Sequence, residues 1–122
     1  MPKKILIADD SLFMRRILKD ILSAKEKYEI VEAQNGKEAE QQFKKHNPDL
    51  TLLDIIMPEG EEEGITVLKA IKKLSSGAKV VMITAVGQDS IIAECKKAGA
   101  SDYIIKPFDK EKIIKTVEKY LS

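Results

Sequence analysis

The sequence predicts an α/β domain, with one doubly wound (βα)5 parallel five-stranded sheet and helices on both of its faces. Short, strongly apolar runs alternate with longer amphipathic runs from one end of the chain to the other. Five strand–helix units follow one another with short links, and this alternation is typical of parallel sheets joined by crossover helices. No repeat or low-complexity linker interrupts the pattern, which indicates one domain.

Composition limits the classes of protein to which the chain can belong. Its 122 residues are 43% hydrophobic and 34% charged, with a net charge of +1. This balance suits a soluble globular domain and favours neither nucleic acid nor a membrane surface as a partner. No apolar run has the length of a membrane span, and the N-terminus lacks the apolar core of a signal peptide. The single cysteine permits no internal disulfide, so we expect a cytoplasmic protein.

The first half of the chain contains two strand–helix units. Residues 5–8 are an apolar strand, and apolar residues recur at helical spacing over 11–22. Residues 28–33 alternate only in part, which suits a strand at the edge of the sheet. The more polar helix over 35–46 begins at Asn35, an N-cap residue followed three positions later by the glutamate of a capping box.

The second half contains three more units, whose strands are short runs of aliphatic residues. The predicted strands cover residues 50–54, 79–85 and 103–105, and the predicted helices cover 65–74, 89–100 and 108–121. We expect Asp89 and Asp109 to be the N-caps of the last two helices. Gly99 is the expected C-terminal stop of the helix that begins near Asp89.

Residues able to do chemistry follow four of the five predicted strands. They are Asp9, Asp10, Asp54, Thr84 and Lys106. Ligands of open parallel sheets bind outside the carboxyl ends of the strands, so we expect these side chains to gather at one edge. Three close carboxylates would raise one another's pKa values unless a cation lies between them.

A divalent cation at this edge would suit phosphoryl transfer. Mg²⁺ prefers oxygen ligands and needs few of them from the protein. Lys106 adds a fixed positive charge and Thr84 adds a hydroxyl donor, both of which can stabilise a phosphoryl group. The Asp54 carboxylate would attack phosphorus in line and become an acyl phosphate.

These residues carry a resemblance to a known family. The acid pair after the first strand, LLDIIMP around Asp54, ITA with Thr84 and IIKPF with Lys106 resemble the receiver domain of two-component response regulators. The resemblance covers essentially the whole chain, and it implies the flavodoxin-like or CheY-like strand order 2-1-3-4-5. It also implies that residues 1–122 are a single receiver domain without an output domain.

The resemblance implies roles for the acidic residues that agree with their chemistry. Asp54 corresponds to the phosphoacceptor. Asp9, Asp10 and Asp54 correspond to Mg²⁺ ligands, with Asp10 the preferred direct ligand of the first pair. The backbone carbonyl of Ile56 corresponds to a further metal ligand.

The resemblance also implies a switch. Thr84 and Lys106 would hold the phosphoryl group, and Thr84 would move toward it on activation. Tyr103 corresponds to the aromatic residue that turns inward at the same time. The peptide bond between Lys106 and Pro107 is expected to be cis.

Within the family, the segments DDSLFMRRILKDIL and GQDSIIAECKKAGASDYIIKPF are similar to stand-alone, CheY-like chemotaxis regulators. That similarity implies a monomer that takes its phosphoryl group from a CheA-like histidine kinase and binds a target such as the flagellar motor switch. A phosphatase is a possible further partner, and the protein would catalyse only its own phosphorylation and dephosphorylation. The alternatives are a single-domain phosphorelay intermediate, a regulator of a non-motility pathway and a phosphorylation-independent adaptor.

Two other classes of protein share parts of the pattern. A Mg²⁺-dependent phosphatase with an aspartyl nucleophile should carry a second acid two residues after it, where this chain has Ile56. A flavodoxin-like FMN carrier should cradle a phosphate in its first loop. Asp9 and Asp10 would repel that phosphate.

The loop after Asp54 departs from the family pattern. Five residues separate Pro58 from Gly64, two more than usual. The loop carries four glutamates, Glu59, Glu61, Glu62 and Glu63. We interpret it as a solvated acidic turn with favourable charges at a helix N-terminus. The alternative is that these acids adjust Mg²⁺ affinity or the fit of a kinase.

Two apolar residues flank the expected path of water to the phosphoryl group. Ile56 lies two residues after Asp54, and Val86 lies two residues after Thr84. Neither side chain can orient a water molecule by hydrogen bonding, so we predict slow self-dephosphorylation.

Overall fold

The computed structural model describes residues 2–24 and 28–121, which form five strands and five helices in strict alternation. In chain order they are β1 Lys4–Ala8, α1 Leu12–Ser23, β2 Glu29–Ala33, α2 Gly36–His46, β3 Leu50–Leu53, α3 Glu63–Leu74, β4 Val80–Thr84, α4 Asp89–Lys97, β5 Asp102–Ile105 and α5 Lys110–Leu121. Across these ranges no helix combines the length and the apolar character that a bilayer crossing requires.

The five strands form one parallel sheet in the order β2-β1-β3-β4-β5. The predicted fold class and strand order are therefore confirmed, and β2 lies at an edge as its partial alternation indicates. The register pairs Ala8 with Leu53 at the ends of β1 and β3. It pairs Thr84 with Ile105 at the ends of β4 and β5. The next residue of each strand therefore emerges at a common edge.

Apolar side chains of the sheet point alternately into two cores. Ile5 and Ile7 of β1 face the core formed with α1 and α5, where Leu18 and Ile113 are buried. The intervening Leu6 and the terminal Ala8 face the second core, which lies under α2, α3 and α4. Burial on both faces explains why the strands read as continuous apolar runs.

Most of the predicted helix ends are confirmed. The Asn35 side chain accepts a hydrogen bond from a backbone N–H of the first turn of α2, and Asp109 does the same for α5. Gly99 follows the end of α4 with φ +104°, a left-handed conformation that favours glycine. The prediction that Asp89 caps α4 is wrong, because Asp89 is already helical and Gln88 is the cap residue.

Candidate functional site

The centre of the site is a lysine shared by two buried carboxylates. Asp9 follows β1 and is 3% exposed, and Asp54 follows β3 and is 7% exposed. The Lys106 ammonium, which follows β5, lies 2.8 Å from Asp9 Oδ2 and 2.9 Å from Asp54 Oδ2. Hydrogen bonds between charged groups are among the stronger ones, so three strand ends are joined at one point. The peptide bond from Lys106 to Pro107 is cis, as predicted.

Burial controls the titration of this cluster more than repulsion between the carboxylates. Burial raises the pKa of Asp9, and the hydrogen bonds and charge from Lys106 offset this only in part. The charge of Asp54 also raises the pKa of Asp9, as expected for close carboxylates, but it is the smallest of these effects. For Lys106 burial lowers the pKa, but the two carboxylates outweigh it and the pKa is raised.

Backbone groups hold the second oxygen of each carboxylate. Asp9 Oδ1 accepts a hydrogen bond of 2.9 Å from the Ser11 N–H at the start of α1. Asp54 Oδ1 accepts one of 3.3 Å from the Ile56 N–H. Each carboxylate is therefore fixed on one side by its own loop and on the other by the shared lysine.

A buried arginine that was not predicted from the sequence supports the loop after β1. Arg15 on α1 donates from Nη1 to the Asp9 carbonyl at 2.7 Å and from Nε to Glu32 Oε1 on β2 at 3.0 Å. Its partners are Asp9, which follows β1, and Glu32 of β2, so Arg15 joins α1 to the sheet beside the site. The spacing of Arg15 from Leu18 and Leu22, the other buried residues of α1, was the signal that could have found it.

The fit of the site to Mg²⁺ depends on its oxygen atoms. In the described ranges no three acidic, histidine or cysteine side chains lie together as a ready-made metal site. Asp9 and Asp54 meet at Lys106, whereas the side chain of Asp10 is exposed. The donor set still fits Mg²⁺, which uses one or two carboxylates and keeps several water molecules.

A chain of hydrogen bonds runs from the hydroxyl of Thr84 to the ring of Tyr103. Thr84 is fully buried, and its Oγ1 accepts from the Val86 N–H at 3.3 Å. The Val86 carbonyl in turn accepts from the Tyr103 hydroxyl. Burial, with smaller effects of Cys95 and Asp54, raises the pKa of Tyr103 to about 12, so this hydroxyl is a donor at neutral pH.

A cavity of about 300 Å³ opens beside the site, between the loops that follow β3 and β4. Ile56 and Val86 both line it, together with Glu61 and Glu62 of the acidic loop. The two apolar residues that we expected to flank the path of water therefore line the same cavity.

Three of the four glutamates of the acidic loop are exposed, as the predicted solvated turn requires. Glu61 and Glu62 are exposed, and their side chains form no hydrogen bond or ion pair with the residues that the structure describes. Glu59 is exposed as well, and both of its carboxylate oxygens accept hydrogen bonds from the first turn of α2, a contact that the sequence did not predict.

The fold and the charged cluster define a doubly wound α/β protein with its site at the carboxyl edge of a parallel sheet. The family model for the response regulator receiver domain matches residues 5–118. The chain belongs to this family, and it is a receiver domain of the two-component type.

Relatives of known name agree with this assignment. The chain is 44% identical to chemotaxis protein CheY of Bacillus subtilis (strain 168), over 100% of both chains. It is 39% identical to sporulation initiation phosphotransferase F of the same organism, covering 99% of this chain and 95% of the relative. Among solved structures, the CheX-CheY-BeF3-Mg+2 complex from Borrelia burgdorferi matches with a TM-score of 0.92 and 35% identity, over 100% of this chain and 91% of that one.

Proposed function

We propose that the protein is a stand-alone response regulator that accepts a phosphoryl group on Asp54 and thereby changes its binding to a partner. The observation that carries this proposal is the Lys106 ammonium held between Asp9 and Asp54 at the ends of three strands. In phosphoryl transfer the Asp54 carboxylate can act as the nucleophile, and the fixed positive charge of Lys106 can stabilise the negative charge of the incoming phosphoryl group.

Each group at the site has a defined task in the proposed reaction. Asp54 Oδ attacks phosphorus, a new O–P bond forms, and the bond from phosphorus to the donor breaks with its electrons leaving on the donor. Lys106 and the Thr84 hydroxyl then contact the oxygens of the transferred group. Asp9, Asp10, Asp54 and the Ile56 carbonyl are the proposed holders of Mg²⁺, which when bound neutralises phosphoryl oxygens.

The hydrogen bonds from Thr84 through Val86 to Tyr103 support a proposed switch. A phosphoryl group that takes the Thr84 hydroxyl as a donor would alter the contact of Thr84 Oγ1 with the Val86 N–H. The Val86 carbonyl accepts a hydrogen bond from the Tyr103 hydroxyl, so the change reaches the half-buried Tyr103 of β5. Phosphorylation then acts through differential contacts in two states.

The proposed phosphodonor is a CheA-like histidine kinase, and the proposed target is a protein such as the flagellar motor switch. Most of the relatives with the highest identity carry chemotaxis names, which favours this pathway. A phosphatase is a further proposed partner, because the CheY of the Borrelia structure is bound to a second protein, CheX. The protein is proposed to act as a cytoplasmic monomer, as one receiver domain over residues 1–122, with no nucleic-acid or membrane partner.

A single-domain phosphorelay intermediate is the second candidate. The observation that favours it is the 39% identity to a protein named as a phosphotransferase, close to the 44% of the chemotaxis relative. The two candidates differ in the fate of the phosphoryl group. A relay intermediate passes it on to a histidine, whereas a chemotaxis regulator keeps it until hydrolysis.

Intact mass after incubation with Mg²⁺ and acetyl phosphate tests the proposal. We expect one phosphoryl adduct on the native protein, dependent on Mg²⁺, and none on Asp54→Asn. Asp49→Asn is the matched control, since Asp49 is exposed at the opposite end of β3 and should leave the adduct unchanged. Absence of any adduct after rapid quenching would favour the phosphorylation-independent adaptor. Steady turnover of small phosphate esters would favour an aspartyl phosphatase instead of a protein that modifies only itself.

A further inference from the structure

Glu59 joins the loop after β3 to the start of α2, the helix that follows β2. Its Oε1 accepts from the Gly36 N–H and its Oε2 from the Lys37 N–H, each at 3.0 Å. The partners are 23 and 22 residues away in sequence, so this is a tertiary contact and not part of a local turn. These hydrogen bonds lower the pKa of Glu59, so the carboxylate is ionised at neutral pH.

The contact completes the hydrogen bonding at the start of α2. An α-helix leaves its first N–H groups without partners inside the helix. Asn35 Oδ1 accepts from the Glu38 N–H at 2.8 Å, and the Glu59 carboxylate accepts from the two N–H groups before it. A negative charge at this position also interacts favourably with the helix dipole. The α2 terminus therefore depends on Glu59 for two of its bonds.

The other side of the contact is the loop that carries the expected metal ligand. Glu59 lies three residues after Ile56, at the tip of a tight turn in which Met57 and Gly60 exchange backbone hydrogen bonds of 3.1 and 3.0 Å. Gly64 N–H closes the base of the loop on the Ile55 carbonyl at 2.7 Å. The loop is thus fixed at its base by its own backbone and at its tip by α2.

Two of the four glutamates of the loop lie outside these anchors. Glu61 and Glu62 lie between the turn at Gly60 and the start of α3 at Glu63, and both are exposed. The negative charge of these two residues is therefore separable from the contact that Glu59 makes.

We infer that Glu59 is a positioning residue. By capping α2 it holds the loop after β3 so that the Ile56 carbonyl is in place to bind Mg²⁺. The inference rests on the proposed function, because it assigns the Ile56 carbonyl to the metal. Outer-shell groups that orient ligands are worth about tenfold or more in metal affinity where they touch the ligand directly. Glu59 acts through three residues of backbone, so its expected effect is smaller, about fivefold. Reciprocity requires that Mg²⁺ strengthens the Glu59–α2 contact by the same factor.

Calorimetric titration with Mg²⁺ alone compares native protein with Glu59→Gln and Glu61→Gln. The two variants remove the same charge from the same loop, and Glu61 lines the cavity beside the site whereas Glu59 does not, so a purely electrostatic effect on the cation would be at least as large for Glu61→Gln. We expect Glu59→Gln to weaken Mg²⁺ binding about fivefold and Glu61→Gln to change it less than twofold. Equal effects of the two variants would overturn the inference. Absence of Mg²⁺ binding by the native protein would instead overturn the metal site of the proposed function.

Amide hydrogen exchange gives a readout that does not depend on activity. In the metal-free native protein the Gly36 and Lys37 amides should be protected, and adding Mg²⁺ should slow their exchange about fivefold further. In Glu59→Gln the metal-free protection should fall and the Mg²⁺ effect should disappear, while Glu61→Gln behaves as native. Loss of protection with an unchanged Mg²⁺ affinity would show that Glu59 stabilises α2 and does nothing for the metal site.

Discussion

Replacing Lys106 by methionine removes the cation that two buried carboxylates share, while keeping an unbranched side chain of similar length. Its ammonium is 2.8 Å from Asp9 and 2.9 Å from Asp54, and the side chains of both acids are less than one-tenth exposed. Removing one partner of a buried ion pair lowers the unfolding free energy by about 3–5 kcal/mol, because the remaining buried charge then has no partner. The chain can avoid that cost by protonating Asp9.

The cost of protonation sets the magnitude that we expect. Binding a proton at pH 7 to a carboxyl of ordinary pKa 3.8 costs about 4 kcal/mol, at 1.36 kcal/mol for each pH unit. Burial already raises the Asp9 pKa, and the variant lacks the lysine that lowers it, so the true cost is less. We therefore expect Lys106→Met to lose about 2–3 kcal/mol of unfolding free energy at pH 7 in the absence of Mg²⁺.

The sign of the pH dependence follows from the same protonation. The folded variant holds a proton on Asp9 at pH values where the unfolded chain has released it. Its stability therefore rises as the pH falls, and the deficit relative to native protein should shrink to less than about 1 kcal/mol at pH 5. Urea denaturation in EDTA at pH 7, 6 and 5 measures this difference.

Lys69→Met is the matched control for the loss of a lysine. Lys69 is 60% exposed and lies 3.8 Å from Glu94, and an exposed pair of this kind contributes less than about 1 kcal/mol. We expect a small deficit that is the same at pH 7 and pH 5. A Lys106→Met deficit that is equally large at both pH values would refute the reasoning, because it would then come from lost packing.

Three further predictions test other parts of the structure. Combining Ile56→Asn with Val86→Glu should raise the decay rate of the aspartyl phosphate about tenfold, because both positions line the cavity beside the site and the new polar side chains would orient water. Intact mass measured over time gives the decay rate, and unchanged or slower decay contradicts this. Thr51→Val should add about 1 kcal/mol to the unfolding free energy, because the buried Thr51 hydroxyl has no hydrogen-bond partner among the described residues; a loss would mean that the hydroxyl is paired. Gly64→Ala should lower the unfolding free energy by about 2 kcal/mol or more, since a Cβ would lie 2.0 Å from the Asp54 carbonyl oxygen. A Cβ at Gly60 would have nothing within 4 Å, so Gly60→Ala should change the unfolding free energy by less than about 0.5 kcal/mol. Similar urea midpoints for the two alanine variants would contradict the close approach.

The order and kind of the elements could be predicted because each depends on local pattern. Continuous apolar runs identify strands buried on both faces, and helical spacing of apolar residues identifies the helices between them. The ends of the helices were harder to predict, because tertiary hydrogen bonds and packing decide where the first and last turns lie. Helix α3 begins at Glu63, two residues before the apolar pattern starts, and α4 ends at Lys97, where Ala98 and the left-handed Gly99 close it.

The candidate site could be predicted in kind but not in arrangement. Residues after strand ends must meet at the carboxyl edge of a parallel sheet, so Asp54 and Lys106 were expected to lie together. The local pattern could not show whether Asp9 or Asp10 would be the neighbour of Asp54. The pairing of Ala8 with Leu53 makes that choice, since the next residue along β1 is Asp9, and alternation turns Asp10 outward.

By itself the sequence determined the fold class, the family pattern and the set of chemical groups, because all three follow from periodicity and from what stands after each strand. Only the tertiary structure decided which groups touch. The lysine shared by Asp9 and Asp54 and the cap that Glu59 places on α2 both join residues far apart in the chain. Such contacts depend on strand register and loop path, which are set by packing of the whole domain and leave no local signal in the chain.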